Sequence, residues 1–136
     1  MNRVMGLDIG TKRIGVALSD PLLITAQPFD TIDRIPEKSA LDKLDDIIKV
    51  YNVNKVVAGL PLMMNGDFGL QAQDCKDFGE KLSQKIQIDV IFVDERLTSF
   101  QAEEILKAQK AKYTKDKGLV DKVAASIILQ EYLDTL

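Results

Sequence analysis

The stretch from Val4 to Ser19 restricts this chain more than any other. Two apolar runs, Val4–Ile9 and Ile14–Ser19, flank Gly10-Thr11-Lys12-Arg13, a four-residue loop with glycine, which is the signature of a β-hairpin. That loop pairs Ile9 with Ile14, Asp8 with Gly15, Leu7 with Val16 and Gly6 with Ala17. Alternate residues of a strand point to opposite sides. One side of the hairpin therefore gathers Met5, Leu7, Ile9, Ile14, Val16 and Leu18, all apolar. The other gathers Val4, Gly6, Asp8, Gly15, Ala17 and Ser19, so a carboxylate stands among small residues.

The remaining pattern extends the sheet. Thr25–Ile32 alternates loosely and contains Pro28, which cannot donate to a ladder and so belongs on an edge strand. Leu41, Leu44, Ile47, Ile48 and Tyr51 recur at helical spacing behind Pro36. Lys55-Val-Val-Ala-Gly-Leu-Pro61 reads as a buried parallel strand, followed by a Gly/Asn-rich loop from Pro61 to Gly69. Gln71, Cys75, Phe78 and Leu82 mark a second helix, and Val90–Val93 a further buried strand ending in Asp94-Glu95-Arg96. Thr98-x-x-Gln101 is a capping box for a third helix, with Ala102, Ile105 and Leu106 inward. Val120, Val123, Ala124, Ile127 and Ile128 line a last helix. Right-handed crossovers turn this order into an α/β fold, a mixed five-stranded sheet with helices on both faces. The expected organisation is one domain over residues 1–136, with the topology of the ribonuclease H-like fold, which alone implies no function.

Composition narrows the chemistry. The 136 residues contain no histidine and one cysteine, Cys75. Ser-His-Asp triads, Cys-His dyads, histidine-bound zinc and cysteine-cluster zinc are thereby excluded. Catalysis must rest on carboxylates, hydroxyls, lysine or arginine. The opening residues meet Asp8 too soon for a signal peptide, and no run approaches the length of a membrane span. The expectation is a soluble cytoplasmic protein. Net charge is −3, yet Lys107, Lys110, Lys112, Lys115, Lys117 and Lys122 face only Asp116 and Asp121 within residues 107–122. Such a cluster is ordinarily a solvated helix end, and it gains meaning only beside a site.

Three acids are candidates for that site. Asp8 interrupts an apolar strand, where a carboxylate is costly unless compensated; otherwise it serves only the turn. Asp94 and Glu95 end a parallel strand, where sites of open α/β sheets form, though a polar strand exit with Arg96 as salt-bridge partner explains them equally. Asp121 precedes Ala124, Ala125, Ile128 and Leu129 on one helix face. Alone it reads as an acid complementing a helix dipole, with Gly118 as N-cap and Asp121 at N3. Three carboxylates converging from two strands and a helix offer the oxygen donors that hard divalent ions require. Two such ions, about 3.5–4 Å apart, can clamp the attacking and leaving oxygens of a phosphodiester.

At this point the chain resembles a known family. Gly6-Leu-Asp-Ile-Gly-Thr-Lys-Arg-Ile-Gly-Val-Ala-Leu-Ser-Asp20 is similar to the opening of the YqgF/RuvX-like family. Gly59-Leu-Pro61 with Asn65-Gly66-x-x-Gly69, then Asp94-Glu-Arg-Leu-Thr-Ser99, then Asp121-Lys-Val-Ala-Ala125 match its later blocks in order. The resemblance covers essentially the whole chain. It implies the ribonuclease H-like fold and a nuclease that processes the 5′ end of pre-16S ribosomal RNA or resolves Holliday junctions. It implies Asp8, Glu95 and Asp121 as catalytic acids and ligands of Mg²⁺ or Mn²⁺. The related resolvases carry their second acid at the end of the fourth strand, where this chain has Gly59-Leu60-Pro61, so Glu95 on the fifth strand must substitute.

The expected partner is nucleic acid, pre-rRNA or branched DNA, bound by a monomer or homodimer without a membrane. Thr11, Lys12 and Arg13 at the hairpin tip are expected to contact its backbone, with Arg96 neutralising phosphate and Lys110, Lys112, Lys115 and Lys117 adding a basic flank. The competing class is a non-catalytic nucleic-acid-binding module. A nucleotide-binding switch is a third: Asp8-x-Gly10-Thr11 also resembles the phosphate loop of actin-like ATPases, which need two such halves. Asp67-Phe-Gly69 spells a kinase motif without its companions and reads as turn chemistry.

Overall fold

The computed structural model describes residues 2–63, 65–95 and 117–136. Its strands are β1 (Arg3–Ile9), β2 (Arg13–Ser19), β3 (Ala26–Asp33), β4 (Val53–Pro61) and β5 (Val90–Glu95). Its described helices are α1 (Glu37–Val50), α2 (Leu70–Ile86) and α3 (Lys117–Leu133). The expected helix after Thr98 lies outside the described residues.

The hairpin forms in the register its loop dictates: Gly6 opposite Ala17, Leu7 opposite Val16, Asp8 opposite Gly15 and Ile9 opposite Ile14. Arg13 already belongs to β2, and the turn closes through the Gly10 N–H donating to the Arg13 carbonyl at 2.9 Å. The sheet order is β3-β2-β1-β4-β5. β1 and β2 are antiparallel, as are β2 and β3, while β1, β4 and β5 run parallel. Pro28 sits on the edge strand β3, opposite Ala17 and beside a bulge, so its missing donor costs no ladder bond. This mixed sheet with helical crossovers is the ribonuclease H-like topology.

Both faces are covered. Met5, Leu7, Ile9, Ile14, Val16 and Leu18 meet α1 through Ala40, Leu44 and Ile48 and α2 through Cys75, Phe78 and Leu82. In α2 the inward place expected for Gln71 belongs to Ala72, and Gln71 is exposed. On the opposite face, Val4, Ala17 and Val57 meet Ala125, Ile128, Leu129 and Leu133 of α3. The buried stripe of α3 is thus Ala124, Ala125, Ile128 and Leu129, while Val120, Val123 and Ile127 of the expected stripe are only half-buried. Val120, Val123 and Ile127 put apolar residues beside the buried stripe as well as in it, which widens the apolar face of α3.

The small residues of the hairpin decide how closely α3 approaches. A β-carbon added at Gly6 would lie 2.6 Å from the Leu129 β-carbon and 2.9 Å from the Ala125 carbonyl oxygen. One added at Gly15 would overlap the backbone carbonyl of Asp121. The helix axis therefore lies against bare backbone, and its first described turns are set directly over Asp8's cross-strand partner. Gly15→Ala should lift α3 from the sheet and cost about 3 kcal/mol. Urea unfolding of wild type and variant measures this, and an unchanged midpoint would show that α3 is not seated on Gly15.

Candidate active site

On the α3 face of the sheet, the charges of Asp121 and Glu95 act on Asp8. Val4 and Ala17 contact α3, and strand alternation puts Asp8 on the same side. Asp8 is half-buried near the carboxyl end of β1. Burial, with the negative charges of Asp121 and Glu95 adding to it, pushes the Asp8 carboxyl from 3.8 up to about 7. No hydrogen-bond donor among the described residues relieves it.

β5 turns its two terminal acids to opposite faces of the sheet. Ile91 and Val93 pack with the α3-side cluster, Val90 and Phe92 with the opposite one. Alternation then directs Glu95 to Asp8's face and Asp94 away from it. The contacts agree: a β-carbon built on Gly59 would lie 3.2 Å from the Glu95 β-carbon and 3.3 Å from its γ-carbon. Glu95 reaches across the bare backbone of β4, and Asp94 is exposed. Gly59 stands where a side chain would block that reach.

Asp121 arrives from α3. Its Oδ2 accepts a hydrogen bond from Arg13 Nε at 2.7 Å, an ion pair across 108 residues. The sequence suggested Gly118 as N-cap with Asp121 at N3, but the helix already includes Lys117, so Gly118 lies inside it. Arg13 was expected to face substrate. Its side chain holds Asp121 through one of its five N–H donors and is 33% exposed, and its terminal nitrogens make no hydrogen bond among the described residues.

The hairpin tip is displayed and anchored at once. Thr11 and Lys12 are exposed. The Lys12 carbonyl accepts from the Arg34 N–H at 3.0 Å, and the Gly10 carbonyl accepts from Arg34 Nη1 at 3.0 Å. Sequence reading missed Arg34. It carries no motif, and its partner Asp74 lies 40 residues away. Arg96, Lys110, Lys112 and Lys115 lie outside the described residues, as does the side chain of Lys117, whose backbone is helical and is the first described of α3.

Whether this site suits a divalent ion is a question of its donors. The described residues contain no ready-made cage, since no three of their ligating side chains are gathered closely enough to hold one ion. The chemistry of the set nevertheless fits. Glu95 and Asp121 lie near enough for their charges to act on Asp8, and the Asp8 carboxylate accepts no hydrogen bond among the described residues. Hard oxygen ligands of this kind are what Mg²⁺ and Mn²⁺ take.

Comparison with known proteins adds the following. The sequence profile of the RuvX family, described as Holliday junction resolvase, matches residues 2–135. A protein of Roseiflexus sp. strain RS-1, whose name marks it as a candidate pre-16S rRNA nuclease, is 47% identical over 133 residues, 98% of this chain and 94% of that protein. One of the same name from Bacillus cereus strain G9842 is 42% identical over 135 residues, 98% of each chain. Among solved structures, Thermus thermophilus RuvC in complex with a Holliday junction substrate superposes with a TM-score of 0.60 at 11% identity, covering 99% of this chain and 95% of that one. Fowlpox virus resolvase with its substrate Holliday junction DNA gives 0.57 at 13% identity, covering 98% and 97%. These two likenesses bear on the fold alone. No described helix is long and apolar enough to cross a membrane.

Proposed function

The chain belongs to the RuvX family, and from that premise we propose that it is a metal-dependent nuclease, one cytoplasmic domain spanning residues 1–136, that hydrolyses phosphodiester bonds at the 5′ end of pre-16S rRNA. The observation that carries this reading is Asp8, a half-buried carboxylate without a hydrogen-bond donor among the described residues and with two like charges beside it. Perturbed carboxylates of this kind cluster at functional sites.

Asp8, Glu95 and Asp121 would hold Mg²⁺ or Mn²⁺. When bound, the ion supplies Lewis acidity toward the phosphodiester and lowers the pKa of water. The protein's own part is placement. β1 brings Asp8 to the strand end, Gly59 clears the path for Glu95, and Gly15 lets the backbone of Asp121 settle over the hairpin. Arg13 steadies Asp121 through Nε and presents its remaining N–H donors to a phosphate, whose geometry a guanidinium matches bidentately. Thr11 and Lys12 extend that contact along the substrate backbone. Arg96, Lys110, Lys112, Lys115 and Lys117 add positive charge on the segment leading to α3, where phosphate contacts position a substrate without reading its sequence.

The family's description favours a second substrate, the four-way DNA junction. One experiment separates the readings. End-labelled pre-16S RNA carrying its 5′ leader and a labelled four-way junction are each incubated with the protein in Mg²⁺, Mn²⁺ or EDTA. The leader should be removed in either ion and retained in EDTA, with the junction cut far more slowly. Preferential junction cutting would make the protein a resolvase. Binding without cleavage in any ion would make it a non-catalytic module.

A further inference from the structure

Arg34 begins the segment that leaves β3, and its side chain is only 9% exposed. It forms a planar fork with Asp74 of α2, Nη1 to Oδ2 at 2.6 Å and Nη2 to Oδ1 at 2.8 Å. Its guanidinium carbon lies 5.0 Å from the centre of the buried Phe78 ring. The same Nη1 donates to the Gly10 carbonyl at 3.0 Å, and the Arg34 backbone N–H donates to the Lys12 carbonyl at 3.0 Å. A neighbouring α2 residue, Cys75, donates its thiol to the Ile9 carbonyl at 3.1 Å. The chain from Ile9 to Lys12 is thus tied to α2 and to the exit of β3, immediately after Asp8.

Packing does not duplicate these ties. A cleft of about 340 Å³ lies beside the tip, lined by Thr11, Arg34, Ile35, Glu37 and Asp74. On that side the described residues leave Thr11 little apolar contact, so the two bonds from Arg34 act beside the turn's own Gly10–Arg13 bond in holding the tip. Only a guanidinium can serve Asp74 and Gly10 together in one plane; a lysine ammonium is a point charge without the fork.

We propose that Arg34 is a positioning residue of the nuclease: braced by Asp74 and Phe78, it fixes the Gly10–Arg13 tip in the conformation that receives the substrate backbone. The role rests on the reading of that tip as a substrate contact. Arg34 touches neither substrate nor ion. It acts through the carbonyls of Gly10 and Lys12, and through them on where Arg13 meets Asp121.

The test compares Arg34→Lys with wild type, and Asp74→Asn stands in if Arg34→Lys does not fold. Amide hydrogen exchange reads the tip, and binding of labelled pre-16S RNA in EDTA reads its consequence. Exchange at Gly10 and Arg34 should accelerate about tenfold or more while β4 amides stay unchanged, as for a local opening. RNA affinity should fall about tenfold, with the loss appearing in KM before kcat in Mg²⁺. Uniform acceleration across all strands would make Arg34 a general stabiliser and overturn the proposal, as would unchanged exchange at the tip or unchanged affinity. A Thr11→Ala/Lys12→Gln double variant separates the two layers. If it binds RNA as wild type does, the tip reading itself has failed; if it weakens binding and Arg34→Lys does not, only the role of Arg34 has failed.

Discussion

Asp8→Asn is expected to abolish cleavage and stabilise the fold in the same protein. The amide keeps the shape of the side chain and removes the charge that would hold the ion. Turnover should fall by about a thousandfold or more, the scale on which electrostatic stabilisation by one group acts. Stability should move the other way. The Asp8 carboxyl is raised from 3.8 to about 7, so the native state resists ionising it. That cost is absent below pH 3.8, where the group is protonated in folded and unfolded chains alike. It grows as pH climbs and is complete above pH 7. At full value it would be about 4 kcal/mol; solvent screening at a half-buried group reduces this to about 2 kcal/mol. Metal-free urea unfolding at pH 8 should therefore show the variant more stable, and the difference should vanish near pH 4. A variant that loses stability at pH 8 while losing activity would mean that Asp8 is a structural acid, and full turnover would remove it from the mechanism.

The second large effect is stabilisation by the ion itself. A ligand that binds only the native state contributes about 2.7 kcal/mol at a hundredfold excess over its Kd. For a chain of this length that corresponds to roughly 10 °C in Tm. Asp8 gives the response a pH signature. Below pH 7 its carboxyl holds a proton that the ion must displace, so apparent affinity should fall about tenfold per pH unit. The shift in Tm in millimolar Mg²⁺ or Mn²⁺ should be large at pH 8 and small at pH 5. An Asp8→Asn/Glu95→Gln/Asp121→Asn variant should show none at either pH. A shift independent of pH, or one retained by the triple variant, would place the ion elsewhere.

Much of this arrangement was legible in the residues because period-2 alternation and a short turn leave little freedom. Gly10–Arg13 set the hairpin register, and the register put Asp8 opposite Gly15 and on the side of the small residues. The choice between Asp94 and Glu95 was not legible. β5 is apolar on both faces, so Val90–Val93 carries no alternation, and only the contacts of Ile91 and Val93 with the α3 side separate the two acids. The inward stripe of α3 was displaced for the same reason, an apolar residue standing at nearly every candidate position. Asp121's own face was read correctly, because Ala124, Ala125, Ile128 and Leu129 follow it at helical spacing and are all buried. The Arg13–Asp121 and Arg34–Asp74 pairs join residues 108 and 40 positions apart. Nothing local announces such pairs, since each exists only once the sheet and α2 or α3 have docked.

The proposed ion would bind at Asp8 together with Glu95 or Asp121, and anomalous diffraction from Mn²⁺-soaked crystals at pH 8 tests this most directly. A peak within roughly 2.1 Å of carboxylate oxygens of Asp8 and of at least one of Glu95 and Asp121, the reach of a hard divalent ion, is the result this account predicts. No peak there from protein that cleaves RNA in Mn²⁺, or a peak bound to other residues, would contradict it.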